Sequence, residues 1–313
     1  MSARVLVTGG AGFLGSQVVA RLGAEPEVEL VVSVDVRPGP TGERIRSLSL
    51  DVRDPALAEV VDAHRIDRIV HLAAVVTPRR DQTREELYSI DVGGTANVVE
   101  AALAAGVGHL TVTSSGAAYG YHPDNPEWID EDHPLRGNPD FTYADHKRQV
   151  EELLAETRVD HPELAQLVLR PGTILGAGLH NQIIALFEAP IIVGIAGAET
   201  PFVFIWETDA VEVIVRGTLE RRTGVFNLAG DGAVPLREIA AELGKRYLAV
   251  PAGLVKAVLA VGRALRLSPY GPEQVDFLRY RPVLSNRRLV TEFGYTPALT
   301  SLQALRAWRE SRG

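Results

Sequence analysis

The stretch that most restricts what this chain can fold into is TGGAGFLG, residues 8–15. A β-rich apolar run, RVLVTG at 4–9, leads into it, and SQVVARLG leaves it with helical spacing. Gly9, Gly10, Gly12 and Gly15 at such a junction permit a tight turn, let phosphates approach the backbone and let the helix pack on the strand. The helix so opened offers free N–H groups and a partial positive charge to an anion. The next apolar run, LVVSVD at 30–35, ends on Asp35, 20 residues after Gly15. At that distance an acidic side chain meets the adenosine ribose of a dinucleotide. A carboxylate there repels a 2′-phosphate and favours NAD over NADP, whereas Arg37 is a group able to receive that phosphate.

Strand-like runs continue at 47–52, 68–74, 109–115 and 166–172, separated by helical patterns at 13–23, 55–63, 84–106 and 143–157. This alternation predicts an α/β fold, a Rossmann-type doubly wound parallel sheet covered on both faces. After 172 the rhythm breaks: 172–203 is punctuated by Gly and Pro, strand candidates stand at 201–206 and 224–230, and 235–313 reads as mostly helical. The expected division is an NAD-binding domain over 1–171 with the strands near 201–230, and a smaller, mainly helical C-terminal substrate domain from 172–200 and 231–313.

Composition narrows the function. A net charge of −8 argues against nucleic acid as a partner, and the absence of cysteine excludes disulfides, thiolate metal sites and thiol catalysis. The N-terminus lacks the basic start and apolar core of a signal peptide. The apolar runs near 183–198 and 248–262 are interrupted by Glu188 and Pro190 or by Lys256, short of the ~18 uncharged residues of a membrane span. A cytoplasmic protein without a membrane span is expected. IDEDHPL (129–135) reads as a solvated loop, and no metal site is expected, because no second ligand pair is spaced to join it. Residues 251–267 put Lys256, Arg263 and Arg266 on one helical face. They read as an amphipathic helix covering the second domain's core, with a lid over a lipid-like substrate as the other reading.

Three lysines stand among the 32 lysines and arginines, at Lys147, Lys245 and Lys256. Lys147 lies one helical turn after Tyr143 in FTYADHKRQVEELL (141–154), so the two share a face. A free phenol is too weak an acid to serve as a base near neutrality, and a neighbouring ammonium lowers its pKa. A compact ammonium can also reach ribose hydroxyls, for which a planar guanidinium is poorly shaped. Ser115, 28 residues upstream at a strand's end, is placed to hydrogen-bond the oxygen on which the phenol acts.

TGGAGFLG, DVRD (51–54), HLAA (71–74), SSGAAYG (114–120), YADHK (143–147) and LRPGTILG (169–176), in this order over about 4–230, resemble the extended short-chain dehydrogenase/reductase family. The branch is that of the NAD-dependent epimerases and dehydratases, of the UDP-glucose 4-epimerase type. The resemblance implies a cofactor site in which Gly9, Gly12, Phe13, Leu14 and Gly15 hold the pyrophosphate, with Asp35 and Arg37 at the ribose and Asp51 and Val52 at the adenine. Leu72, Ala73, Ala74 and Thr113 would line the cleft, and Pro171, Gly172 and Thr173 would lie near the nicotinamide. Ser115, Tyr143 and Lys147 would be the catalytic set, the last two also touching the cofactor.

Dehydratases of this branch resemble one another in an Asp–Glu pair just after the catalytic hydroxyl. Gly116 and Ala117 stand there, so elimination is disfavoured and reversible oxidation of a secondary alcohol remains. For a nucleotide sugar speak Arg281, with Arg279 nearby, and Asn181, where relatives contact a diphosphate. Against it stand Phe202 in a neighbourhood often basic, and Val76 and Asp91 at positions often Lys and Asn. The first expectation is a 4-epimerase-type enzyme for a nucleotide sugar. The alternative is a dehydrogenase for a hydrophobic alcohol or ketone of the 3β-hydroxysteroid type. A non-catalytic dinucleotide sensor or assembly protein is the third, opposed by the retained Ser115, Tyr143 and Lys147. The resemblance also implies a homodimer through the helices at about 84–105 and from Tyr143.

Overall fold

The structure, a computed structural model, describes residues 2–79, 81–265 and 271–312. Strand β1 (Ala3–Thr8) buries Val5, Leu6 and Val7 without polar alternation, the pattern of a strand covered on both faces. Helix α1 (Phe13–Ala24) turns Val18, Val19 and Leu22 inward. β2 (Val28–Asp35), β3 (Ile45–Ser49), α2 (Ala56–Ala63) and β4 (Arg68–His71) follow. The helix expected over 84–106 is found as α3 (Arg84–Tyr88), a π-helical turn (Ser89–Gly93) and α4 (Gly94–Ala104). Next come β5 (His109–Thr113), α5 (Thr142–Asp160) and β6 (Ala165–Pro171). The remaining elements are β7 (Thr173–Leu175), α6 (Gln182–Glu188), β8 (Ile191–Ile195), β9 (Pro201–Phe202), β10 (Phe204–Trp206), α7 (Glu207–Leu219), β11 (Gly224–Leu228), β12 (Val234–Pro235), α8 (Leu236–Glu242), β13 (Arg246–Val250), α9 (Ala252–Ala264), α10 (Gln274–Arg279) and α11 (Ser301–Glu310).

Seven strands form one parallel sheet in the order β11-β6-β5-β4-β1-β2-β3. The winding reverses between β1 and β4, and such sheets bind ligands beyond the strand C-termini at that point. One face packs Leu6, Val32, Ile69 and Leu110 against Leu57, Val98 and Leu154 of α2, α4 and α5. The other packs Val5, Val31, Val70 and Leu167 against Val18, Leu22, Val213 and Ile214 of α1 and α7.

Several expectations change. Residues 201–206 do not return to the main sheet: β9 pairs with β12 and β10 with β7, while β11 alone joins its edge. Phe202 and Phe204 are drawn instead into a separate aromatic cluster with Phe187 and Trp308, closed by α8 and α11. β8 and β13 form a parallel pair across stretches expected as loop and helix. IDEDHPL is not simply solvated, for Glu131 is buried and accepts the Asn227 N–H at 2.7 Å, tying the loop to β11. No residue of α9 is buried, so it covers no core. Leu254, Val258 and Val261 are 57–62% exposed, and ion pairs Lys256–Asp276 and Arg263–Glu273 tether the helix. Arg266 lies outside the described residues. Among the described residues no helix is long and apolar enough to cross a membrane, and no cluster of three or more acidic or histidine side chains is arranged to hold a metal.

Candidate active site

The loop between β1 and α1 is shaped by close approach. Gly9 has φ of 70°, and a Cβ there would stand 2.7 Å from Ala73 N. A Cβ at Gly15 would collide with the Gly9 carbonyl. Gly12 is the N-cap of α1, and it offers no side-chain hydrogen bond to the first-turn N–H groups. At the end of β2, Asp35 accepts from Ala11 N at 3.1 Å and from Arg37 N at 3.0 Å, and Arg37 Nη2 donates to the Ala11 carbonyl at 3.2 Å.

Ser115 follows β5, and Tyr143 and Lys147 lie on one face of α5 where that helix crosses the strand ends. Burial pushes the Tyr143 phenol up to about 12, while hydrogen bonding to Ser115 pulls it down and the Asp91 carboxylate raises it. Lys147 is buried, donates to the Thr113 carbonyl at 3.1 Å and stands 5.8 Å from the Tyr143 ring centroid. Burial also draws the Lys147 pKa down, against the charges of Asp91 and Glu151. Glu151 is committed elsewhere, to Arg170 Nη2 at 2.6 Å and to Ser114 Oγ at 2.6 Å.

A cavity of about 360 Å³ joins these elements. Its second wall comes from the chain after β7 and from 277–284, which bring Leu179, Ile183, Phe277, Arg281 and Leu284 to the cavity. Arg281 is held between two rings, its guanidinium carbon 4.0 Å from the Phe202 centroid and 4.5 Å from that of Phe277. Nη2 donates to Thr173 Oγ1 at 3.3 Å, but Nε and Nη1 are buried without a hydrogen-bond partner. Burial lowers this guanidinium to about 10, and no carboxylate pairs with it among the described residues. The described residues lining the cavity include no Asp or Glu. A Cβ at Gly116 would lie 2.8 Å from Leu284 Cδ1, so the position beside Ser115 is filled by an apolar side chain.

The family model for the NAD dependent epimerase/dehydratase family matches residues 5–202, more than half of the chain. The chain belongs to that family. An uncharacterized protein of Mycobacterium tuberculosis is 26% identical over 99% of this chain and 84% of its own length. A 3-diazoavenalumate denitrifying reductase of a Streptomyces species is 30% identical over 82% of this chain and 86% of its own length. Among solved structures, the Thermus thermophilus UDP-glucose 4-epimerase in complex with NAD aligns with a TM-score of 0.75 over 99% of both chains at 22% identity, which establishes a shared fold.

NAD is this family's cofactor, and the residues present fit it. The glycine loop has no room for side chains where a pyrophosphate would press, and α1 presents its N-terminus there. Gly9, Gly12, Phe13, Leu14 and Gly15 line the cavity, as do Leu72, Ala74 and Thr113 from neighbouring strand ends. Ser115, Tyr143 and Lys147 line it as well, with Pro171, Gly172 and Thr173 from the end of β6 and the start of β7. Ala73 packs under Gly9 rather than facing the cavity. Asp35, Arg37, Asp51 and Val52 lie outside the cavity lining. Asp51 is chelated by Arg53, and Val52 is buried beneath Gly94. Of the expected substrate contacts, Val76, Asn181 and Arg281 all line the cavity, although Asn181 Oδ1 also caps α6 by accepting from Ile183 N and Ile184 N. Sequence reasoning missed Tyr121, Phe277 and Leu284. Tyr121 directly follows the SSGAAYG motif and was open to inspection, whereas the other two sit in a stretch with no motif of their own.

Proposed function

We propose that this enzyme interconverts a secondary alcohol and its ketone on a substrate bearing an anionic group, with a nucleotide sugar as that substrate and epimerisation as the outcome. The observation that carries this reading is Arg281, a cavity-lining cation whose buried Nε and Nη1 have no hydrogen-bond partner, in a cavity whose described lining holds no Asp or Glu. A buried guanidinium left unpaired is expensive, and a diphosphate or carboxylate satisfies it with charge-assisted bonds. NAD, when bound, accepts hydride in oxidation and returns it in reduction. Tyr143 takes the hydroxyl proton and gives it back, Ser115 holds the reacting oxygen, and Lys147 keeps a positive charge beside them. Elimination receives no support, because Leu284 fills the space beside Ser115 where an acid would act.

A second reading, a dehydrogenase or reductase for a hydrophobic alcohol or ketone, draws on the apolar wall of Tyr121, Val203, Phe277 and Leu284. The Streptomyces relative is named as a reductase. A thermal-shift screen with NAD, using UDP-sugars, aromatic carboxylates and neutral sterols, separates the two. Stabilisation by UDP-sugars supports the first reading, and stabilisation by neutral sterols alone replaces it with the second. Accumulation of NADH without a second sugar epimer would remove epimerisation.

A dimer through α4 and α5 is proposed on family resemblance only. Val98, Ala102, Val150 and Leu154 from those helices are inside the protomer core, so the pairing must use other residues. Sedimentation as a monomer at micromolar concentration would remove it.

A further inference from the structure

Two segments that serve opposite walls of the cavity meet behind it, at Glu207. β10 runs parallel to β7 with Trp206 opposite Leu175, so the residues that follow the two strands, Glu207 and Gly176, come side by side. Glu207 opens α7, where the helix dipole favours a carboxylate. The dipole asks for no particular partner, yet both oxygens are engaged, each by a different element. Oε1 accepts the Ala177 N–H at 3.0 Å, in the turn after β7. Oε2 accepts from Gln17 Nε2 at 2.8 Å, on α1. Gln17 Nε2 also reaches the Phe13 carbonyl at 3.3 Å, one turn back along the same helix. Gly176 closes the contact: a Cβ there would strike the Glu207 carboxylate and stand 2.6 Å from Phe13 Cζ. One carboxylate thus ties the head of α1 to the turn at 176–178.

On the α1 side of this tie, Phe13 lines the cavity beside Gly12, Leu14 and Gly15 of the glycine loop. On the other side, Ala177 stands four residues before Asn181, the N-cap of α6, and 179–183 line the cavity wall. Ala177 and Gly178 are exposed, and Gly178 has φ of 76°. An exposed turn with few packed neighbours opens readily unless specific bonds hold it. Glu207 itself is absent from the cavity lining, so it acts through these bonds and not on a reacting atom.

We propose that Glu207 is a positioning residue that couples the two walls: filling of the glycine loop by the dinucleotide fixes the head of α1, and through Gln17 and Glu207 it fixes the turn that carries 179–183. By reciprocity, a substrate held by 179–183 tightens the hold on the dinucleotide.

Only this consequence for substrate rests on the proposed function; the coupling is tested with NAD alone, by backbone hydrogen exchange. Coupling between two sites typically amounts to about 5–150-fold. Saturating NAD should therefore slow exchange over 176–183 by about 5-fold or more in the unmutated protein. In Glu207→Ala, NAD should still slow exchange over 9–17 and leave 176–183 unchanged. A Glu207 that merely braced the turn would give faster exchange there with and without NAD, and the same NAD-dependent slowing as in the parent. That result overturns the proposal, as does the absence of slowing in the parent. Gln17→Ala breaks the tie from α1 and leaves the Ala177 bond in place, so it decides the matter if Glu207→Ala does not fold. It too should abolish the NAD effect at 176–183, and an undiminished effect overturns the proposal. Failure of UDP-sugars to bind would instead remove the proposed substrate and leave the exchange result standing.

Discussion

One wall of the cavity is made by strand ends and the turns that follow them, from Gly9 through Ser115 to the face of α5. The other is assembled from 172–203 and 277–284, with Leu179, Phe277, Arg281 and Leu284 arriving from distant parts of the chain. On the first wall the groups lie at strand ends, in the turns that follow them and in the first two turns of α5, so local geometry aims them. On the second, Arg281 is aimed by Phe202 and Phe277, 79 and four residues away in sequence, and by nothing next to it. The contrast suggests that the chemistry resides in the locally built wall and substrate choice in the wall built by long-range packing.

The strongest way to break that division is Tyr143→Phe. The ring keeps its packing and loses its only exchangeable proton, so turnover should fall by about 10²–10⁴-fold while calorimetry shows NAD affinity retained. Turnover near that of the parent would mean that the strand-end wall does not hold the acid–base group. Arg281→Met probes the opposite wall. It should raise KM for an anionic substrate by about 10–100-fold, from the roughly 1.5–3 kcal/mol of a hydrogen bond to a charged group, with kcat changed much less. A loss confined to kcat would place Arg281 with the chemistry instead.

A smaller effect comes from beneath the first wall. Burial pushes His71 down to about 3, and the nearby Lys147 charge lowers it further while Asp91 opposes them. The unfolded chain takes up that proton near pH 6.5, so the contribution of neutral His71 is complete above about 6.5. It falls on acidification toward 3, by up to about 1.4 kcal/mol per pH unit. Urea midpoints at pH 7.5 and 5.5 should therefore separate more in the parent than in His71→Gln, and equal separations would count against a neutral buried ring. The smallest effect is expected far from both walls. Val258→Glu on α9 should alter stability by no more than about 0.5 kcal/mol, since its side chain is 62% exposed. A larger loss would show that α9 is packed against something in solution.

The first wall was legible in the sequence because its signals are short-range. A glycine loop after an apolar strand, an acid 20 residues on and a Tyr–Lys pair one turn apart carry their geometry with them. The parallel sheet followed from the same cause, since strands buried on both faces show as continuous apolar runs. Other features depended on partners that sequence spacing does not reveal. The 251–267 stretch has the periodicity of a core helix, yet α9 buries nothing. The run 201–206 is strand, as it reads, yet it forms β9 and β10 in separate two-stranded pairs, and Phe202 and Phe204 pack on Phe187 away from the main sheet.

What the sequence determined by itself was the parallel sheet and the glycine loop between β1 and α1, because each is specified within one strand–turn–helix unit. The tertiary structure alone decided that Lys147 donates to the Thr113 carbonyl and that Ser115 hydrogen-bonds the Tyr143 phenol, since both depend on how α5 lies against the end of β5. It also decided that Asp91 faces His146 through a π-helical turn, a one-residue change of phase that no hydrophobic period announces. And it decided that Arg281 stands unpaired between two aromatic rings, since a guanidinium's partners are fixed only when distant segments close around it.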